Sequence, residues 1–130
     1  MKTLIGTIGL PRSGKSTWAR EQIFPIVNPD AIRFALYGEI FISEAEKMVW
    51  TIAHYMVQSL FFAGHDKVIL DATNTTPRRR NEWLSSEWRC EWKIFDTSKE
   101  VCIERAKKGG REDLIPIIEM MHKSLDLSDL

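Results

Sequence analysis

Nine consecutive residues, Gly9-Leu10-Pro11-Arg12-Ser13-Gly14-Lys15-Ser16-Thr17, constrain this chain more than any other stretch. They fit the P-loop pattern of Gly, four residues, Gly-Lys-Ser/Thr. With average composition, that pattern arises by chance in roughly one chain of this length in a few hundred. Its context sharpens it. Thr3 to Ile8 is an apolar, β-branched run suited to a buried strand, and Trp18 to Ile23 reads as the start of a helix. Strand, Gly-bounded loop and helix N-terminus form an anion cradle: loop N–H groups converge on phosphate oxygens, and the helix dipole favours negative charge there. Gly9, Pro11, Arg12, Ser13, Gly14, Lys15, Ser16 and Thr17 are therefore the candidate ATP-binding residues. Lys15 would reach the β- and γ-phosphates, and the Ser16 hydroxyl would ligate Mg²⁺. Arg12 stands where Gly is common; it either adds a phosphate contact or points outward.

The rest of the chain alternates strands with helices. Pro25 to Asn28 reads as a short strand. Pro29 and Asp30 open a helix that Gly38 closes near Tyr37. Ile40 to Ile42 is an apolar connector. Ser43 to Glu46 fits a capping box for a long helix to Ala63, whose apolar residues recur at Met48, Ile52, Tyr55, Met56 and Leu60. A strand follows over Lys67 to Asp71, then a polar loop, then a helix from Thr76-Pro77 to near Glu87. Arg89 to Asp96 contains a strand, Thr97 to Glu100 fits a second capping box, and a helix runs to Lys108. After the loop Gly109 to Asp113, a last helix ends near Ser124, and the tail Asp126 to Leu130 is expected to fray. This pattern implies a P-loop NTPase or kinase fold: a parallel sheet of four or five strands, right-handed crossovers and helices on both faces. One domain, residues 1–130, with a small lid at about 105–116, fits the length. Ligands of such a sheet bind beyond the carboxyl ends of the strands. Gly9, Asn28 to Asp30, Asp71 to Asn74 and Asp96-Thr97 all fall on that edge.

Formal net charge is 0, so no global basic field recruits nucleic acid, although a local groove remains open. Cys90 and Cys102 form no close CxxC pair, no signal peptide precedes the first strand, and no apolar run is long enough to span a bilayer. A reduced cytoplasmic setting, a host's if the chain is phage-encoded, is the expectation.

Phosphoryl transfer needs a metal, an acceptor hydroxyl held in line, and charge stabilisation at the γ-phosphate. Asp30, just after the second strand, is the candidate to orient the hydroxyl and take its proton; as a mere helix-start carboxylate it would only favour the dipole. Arg33, three residues on and on the same helical face, is a candidate to hold an anionic group of the acceptor. Asp71 would hold Mg²⁺ through water, fix Ser16, or serve as a structural hydrogen-bond acceptor. Asn74 is a weaker candidate to touch the acceptor or orient Asp30. Arg78-Arg79-Arg80 opposes the dipole of its helix start; it binds an anionic strand or forms a solvated face. Arg105, Lys108 and Arg111 lie on the basic lid, and Arg105 and Arg111 are favoured to close over the phosphates. Core packing explains most of the five tryptophans. Trp50 and His54, at i and i+4, line an acceptor pocket or the core.

These stretches resemble the kinase domain of the phage polynucleotide 5′-hydroxyl kinases. Gly9 to Glu21 resembles that family's P-loop and first helix. Asn28-Pro-Asp-Ala-Ile-Arg33 resembles its Asn-x-Asp-x-x-Arg segment. Val68 to Asn74, with Pro77 to Arg80 and Trp83, resembles its strand ending in Asp-Thr-Asn followed by Pro-x-Arg-Arg. Ile94 to Asp96 and Ile115-Pro116 resemble its last strand and the start of its post-lid segment. The resemblance implies Asp30 as general base and Arg33 as the clamp on the phosphate 3′ of the accepting nucleotide. Two departures stand out. The family's acid before Thr-Asn falls on Ala72, one position after Asp71, and its lid arginine falls near Gly109. The segment Tyr37 to Trp50 lies outside the resemblance, and no phosphatase domain follows.

The expectation is a kinase using ATP and Mg²⁺ to phosphorylate a hydroxyl of DNA or RNA, foremost a polynucleotide 5′-hydroxyl. Hydroxymethylated pyrimidine (5-hydroxymethyluracil) in DNA, a nucleoside or a small metabolite are alternative acceptors. A nucleotide-binding switch with little turnover is the rival of a different class.

Overall fold

The computed structural model describes residues 1–38 and 42–130. Ile40 and Phe41 of the expected connector lie outside the described residues. Strands β1 (Thr3–Ile8), β2 (Ile26–Val27), β3 (Lys67–Leu70) and β4 (Arg89–Ile94) form one four-stranded sheet in the order β2-β3-β1-β4, every pairing parallel. Helices α1 (Lys15–Glu21), α2 (Pro29–Tyr37), α3 (Glu46–Phe62), α4 (Pro77–Asn81), α5 (Lys99–Lys108) and α6 (Ile115–Ser124) fill the connections. The fold is the expected one, with β1 central and the loop after it at the middle of the sheet's carboxyl edge. Gly6 of β1 faces Trp92 in register, and a β-carbon there would stand 2.2 Å from the Trp92 ring. Only glycine lets the indole cross the central strand at that point.

The main core packs Leu4, Val68 and Leu70 of the sheet against Val49, Ala53, Val57 and Phe61 of α3, with Trp83 and Trp88. Only part of the expected apolar set of α3 meets this core: Ile52 and Leu60 pack against it, whereas Met48 and Tyr55 are 54% and 65% exposed. Both stripes recur at helical period, but the smaller Val and Ala side chains let the helix approach the sheet closely. A second cluster joins Leu10 of the loop after β1 to Cys102, Ala106 and Ile118 of α5 and α6. The loop is thus seated on the last two helices.

Four other expectations are corrected. No side chain caps α3: a 3₁₀ turn over Ser43–Ala45 leads into it, and Glu46 gives its carboxylate to Arg33 instead. At α5 the cap is Ser98, which accepts from Val101 N–H at 3.2 Å; Thr97 instead donates its hydroxyl to the Ser13 carbonyl at 2.9 Å. Helix α4 ends at Asn81 rather than near Glu87, because the chain must turn to bury Trp83, whose carbonyl accepts from Trp88 Nε1 at 2.9 Å. The tail does not fray. Asp126 N–H donates to the Thr75 carbonyl at 2.9 Å, and the buried Arg80 guanidinium donates to the Asp126 carbonyl at 2.5 Å and to the Asp129 carboxylate. A buried cation needs acceptors, and the tail supplies them. Among the described residues no helix is long and apolar enough to cross a membrane.

Deleting residues 126–130 should therefore leave Arg80 short of acceptors and lower the unfolding free energy by about 2–4 kcal/mol. Breaking the exposed Arg89–Glu91 pair (2.6 Å) with Glu91→Gln should change it by less than about 0.5 kcal/mol. Urea melts of both variants read the contrast; equal midpoints would sink it.

Candidate active site

The loop leaves β1 at Gly9, whose N–H donates to the Thr73 carbonyl at 3.0 Å. Gly14, at φ 104, occupies the N-cap of α1, a left-handed conformation that favours glycine. Arg12 holds a left-handed φ of 69 without being glycine. Lys15 opens α1 and folds back over the loop, donating from Nζ to the Leu10 carbonyl at 2.6 Å and to Ser13 Oγ at 3.4 Å. Burial lowers its pKa to about 8 from 10.5, against the opposing pull of Asp71 foremost. A phosphate at the loop would return the charge that burial disfavours.

Beside the loop runs a line of hydrogen bonds. Ser16 Oγ donates to Asp71 Oδ2 at 2.7 Å, and Asn28 Nδ2 donates to the same oxygen at 3.1 Å. Asn28 Oδ1 accepts from the N–H groups of Asp30 at 2.8 Å and Ala31 at 3.2 Å, which caps α2. The sheet dictates this. Val27 and Leu70 are register partners, so the next residues, Asn28 and Asp71, emerge side by side. Asp71 is the acid that meets Ser16; Ala72 is instead tied at its backbone to the Thr7 hydroxyl. The hydroxyl of Ser16 and the carboxylate of Asp71 are hard oxygen donors that suit Mg²⁺. No cluster of three or more His, Cys, Asp or Glu occurs among the described residues, so phosphate oxygens and water would complete such a site. Asn28 and Thr7 join the candidate site residues only here. An Asn before Pro-Asp at a strand end carries the signal for the first; nothing local marks the second.

Asn74 is placed differently from the expectation. It is buried, at φ 46, with Nδ2 donating to the Thr7 carbonyl at 2.8 Å. It closes the loop after β3 rather than facing Asp30 or an acceptor, because that loop must satisfy its buried backbone.

On α2, Asp30 projects outward with its side chain 88% exposed. Arg33 Nη1 donates to Asp30 Oδ1 at 2.6 Å, while its Nε and Nη2 meet the two oxygens of Glu46 at 2.7 and 2.5 Å. Burial pushes the Glu46 carboxyl up, but Arg33 outweighs it and holds the group below its usual range. Next to this pair opens a groove of about 590 Å³, lined among others by Glu46, Trp50, His54, Arg78 and Arg79. Arg79 lies 3.9 Å from the Trp50 ring centre and bonds Glu82 at 2.8 Å. His54 stacks on Trp83 at 3.8 Å, and burial holds its pKa below the usual value. The three arginines thus part company: Arg78 and Arg79 line the groove, and Arg80 is structural.

The lid region follows α5. Arg105 Nη1 donates to the Arg12 carbonyl at 3.1 Å, Lys108 pairs with Glu104 at 3.4 Å, and Arg111 meets Asp113 at 3.1 and 3.2 Å. Arg105 is thus in contact with the loop, while Arg111 pairs with its near neighbour Asp113.

A family model described as "AAA domain" matches residues 4–117. Among solved structures, a Pnkp1/Rnl/Hen1 complex is 26% identical over 80% of this chain and 38% of that chain, with a TM-score of 0.71. The Pnkp1/Rnl/Hen1 RNA repair complex is 24% identical over 96% of this chain and 46% of that chain, with a TM-score of 0.73. A gluconokinase from Sinorhizobium meliloti 1021 shares the fold at 16% identity, over 95% of this chain and 75% of that one, with a TM-score of 0.65. The chain spans less than half the length of the first two.

The lowered Lys15 pKa has a measurable consequence. Near pH 8 the ammonium is about half deprotonated, and a bound phosphate favours the charged form. ATP binding should then take up about half a proton at pH 8 and none below about pH 7, where Lys15 is protonated in both states. Calorimetry in two buffers of different ionisation enthalpy reads this. Equal observed heats in the two buffers at pH 8 would exclude it, and Lys15→Met should abolish the uptake.

Proposed function

The chain belongs to the AAA domain family, and from that premise we propose that it is a Mg²⁺- and ATP-dependent kinase that phosphorylates a polynucleotide 5′-hydroxyl. One observation carries the proposal: the hydrogen-bonded line Ser16–Asp71–Asn28–Asp30, which couples the P-loop to an exposed carboxylate on the edge where an acceptor approaches. A switch that only binds nucleotide has no use for that carboxylate.

In this reading residues 1–130 are one kinase domain with its lid at 105–116. Lys15 and the loop N–H groups hold the β- and γ-phosphates. Ser16 and Asp71 would hold Mg²⁺, which supplies charge neutralisation between those phosphates. Asp30 orients the acceptor hydroxyl in line and takes its proton as the new O–P bond forms and the bond to the β-phosphate oxygen of ADP breaks. Asn28 fixes the turn that carries Asp30. Arg33 clamps the phosphate 3′ of the accepting nucleotide, and Arg78 guides the strand along the groove beside Trp50. The similarity to the Pnkp1-containing RNA repair complexes supports a nucleic-acid acceptor.

A second reading has its own observation. Glu46 already engages two nitrogens of Arg33. An acceptor without a phosphate, such as a nucleoside or small metabolite, would leave that pair intact.

Asp30→Ala should lower transfer by about 10² or more, while ATP affinity stays within about twofold. The assay is label transfer from γ-labelled ATP to a 5′-hydroxyl oligonucleotide, to an end-blocked duplex carrying hydroxymethyluracil, and to nucleosides. Transfer by Asp30→Ala at the wild-type rate would refute the mechanism. If the oligonucleotide is the acceptor, the logarithm of its affinity should fall linearly with log salt, by about 0.7 per phosphate contacted. Label confined to nucleosides, with no salt slope, would establish the second reading instead.

A further inference from the structure

A charged side chain at a left-handed backbone position costs free energy that glycine avoids, and such outliers persist where the surroundings enforce them. Arg12 is one, at φ 69, in the loop that would hold the phosphates. Two features of the lid enforce it. Arg105, on α5, donates to the Arg12 carbonyl at 3.1 Å and so holds the backbone. The guanidinium lies against Gly109, where a β-carbon would stand 3.2 Å from Arg12 Nη2 and 3.4 Å from its Cζ. Any side chain at 109 would contest that seat. Gly109 has φ −86, which any residue adopts, so the need for glycine there comes from the neighbour and not from the backbone.

Three basic groups of the lid have acceptors: Lys108 has Glu104, Arg111 has Asp113, and Arg105 has the Arg12 carbonyl. The exposed Arg12 guanidinium makes no hydrogen bond or ion pair among the described residues, and the Asp113 carboxylate, which feels its charge, is held by Arg111. It is an uncommitted donor set beside the loop. A guanidinium presents donors in a planar fork that matches phosphate oxygens.

We infer that Arg12 is the residue that reads the terminal phosphate of the nucleotide, distinguishing triphosphate from diphosphate, and that Gly109 is the seat from which it does so. The inference rests on the reading that this loop binds ATP. It moves the cation expected from the lid onto the P-loop itself, with the lid serving as its socket. Arg12 forms and breaks no covalent bond; it neutralises charge on the γ-phosphate.

Arg12→Gly tests it cleanly, because glycine suits the left-handed backbone. The variant should melt at or above the wild-type temperature. Its affinity for a non-hydrolysable ATP analogue should fall about tenfold, the scale of one charge-assisted contact, while ADP affinity stays within about twofold. Arg12→Lys should recover part of the loss. Gly109→Leu leaves the P-loop intact but fills the seat, and should lower the same triphosphate-to-diphosphate ratio. An unchanged ratio in Arg12→Gly, or equal loss for both nucleotides, would overturn the inference. The measurement needs no acceptor. A protein that keeps this ratio but phosphorylates no hydroxyl would refute the proposed kinase activity and leave the role of Arg12 standing.

Discussion

The structure turns on one buried carboxylate. Asp71 follows β3 and is 5% exposed, and its Oδ2 accepts from Ser16 on α1 and from Asn28 just after β2. An uncompensated buried charge is costly, so its donors are held as firmly as the charge requires. Three elements distant in sequence are thereby fixed to one oxygen. Because Asn28 uses its other side-chain atom to cap α2, the same constraint sets where that helix starts. A parallel sheet makes this economical: neighbouring strands end at the same edge, so residues just past their ends meet without any long-range search.

Beyond that line the electrostatics change character. Lys15 is buried and its charge is disfavoured, whereas Arg33 is half-buried and saturated by carboxylates. Burial weakens the ammonium of Lys15 in water and strengthens its attraction to an incoming phosphate, since both follow from the low local dielectric. Arg33 works the other way. Its fork is matched on one side by Glu46, so any anion it receives must share it or displace a partly buried acid whose pKa that pairing lowers. The P-loop side of the site stands to gain from an added negative charge, whereas the charges around Arg33 are balanced already.

Most of the framework was legible because its signals are local. The P-loop, all four strands and the bounds of α2 follow from composition, period and punctuation within a few residues. What escaped depends on tertiary partners. Two capping boxes fit by spacing, yet Glu46 is drawn to Arg33 and Thr97 to the Ser13 carbonyl. Each alternative is a long-range bond that spacing cannot see. Helix α3 offers two apolar stripes, and only the sheet's demand for close approach selects the smaller one. Arg80 looked like its two neighbours until packing buried it, and the tail looked loose for the same reason. At the candidate site, Lys15 and Ser16 open α1 while Asp30 and Arg33 lie on α2. Asn74 is buried instead, its amide answering a backbone carbonyl on β1.

Zero net charge conceals an ordered distribution. At the P-loop stand Arg12, Lys15 and Arg105, while Glu46 lines the groove and Asp30 pairs with Arg33 on α2. Summed over the chain these cancel; across the site they form a gradient from a positive nucleotide side to a compensated acceptor side. Pairwise, exposed charges such as Asp30 contribute little to folding in water. A gradient of weak pairs therefore has little value for stability and more for orientation. In the proposed kinase it would admit a polyphosphate from one side and a hydroxyl from the other. The sheet supplies the geometry, with the phosphate loop after β1 and Asp30 after β2 at the same edge, and β3 with Asp71 between them. The charges then assign each end its reactant, which is why the strained Arg12 and the paired Arg33, both arginines near one cleft, answer to different chemistry.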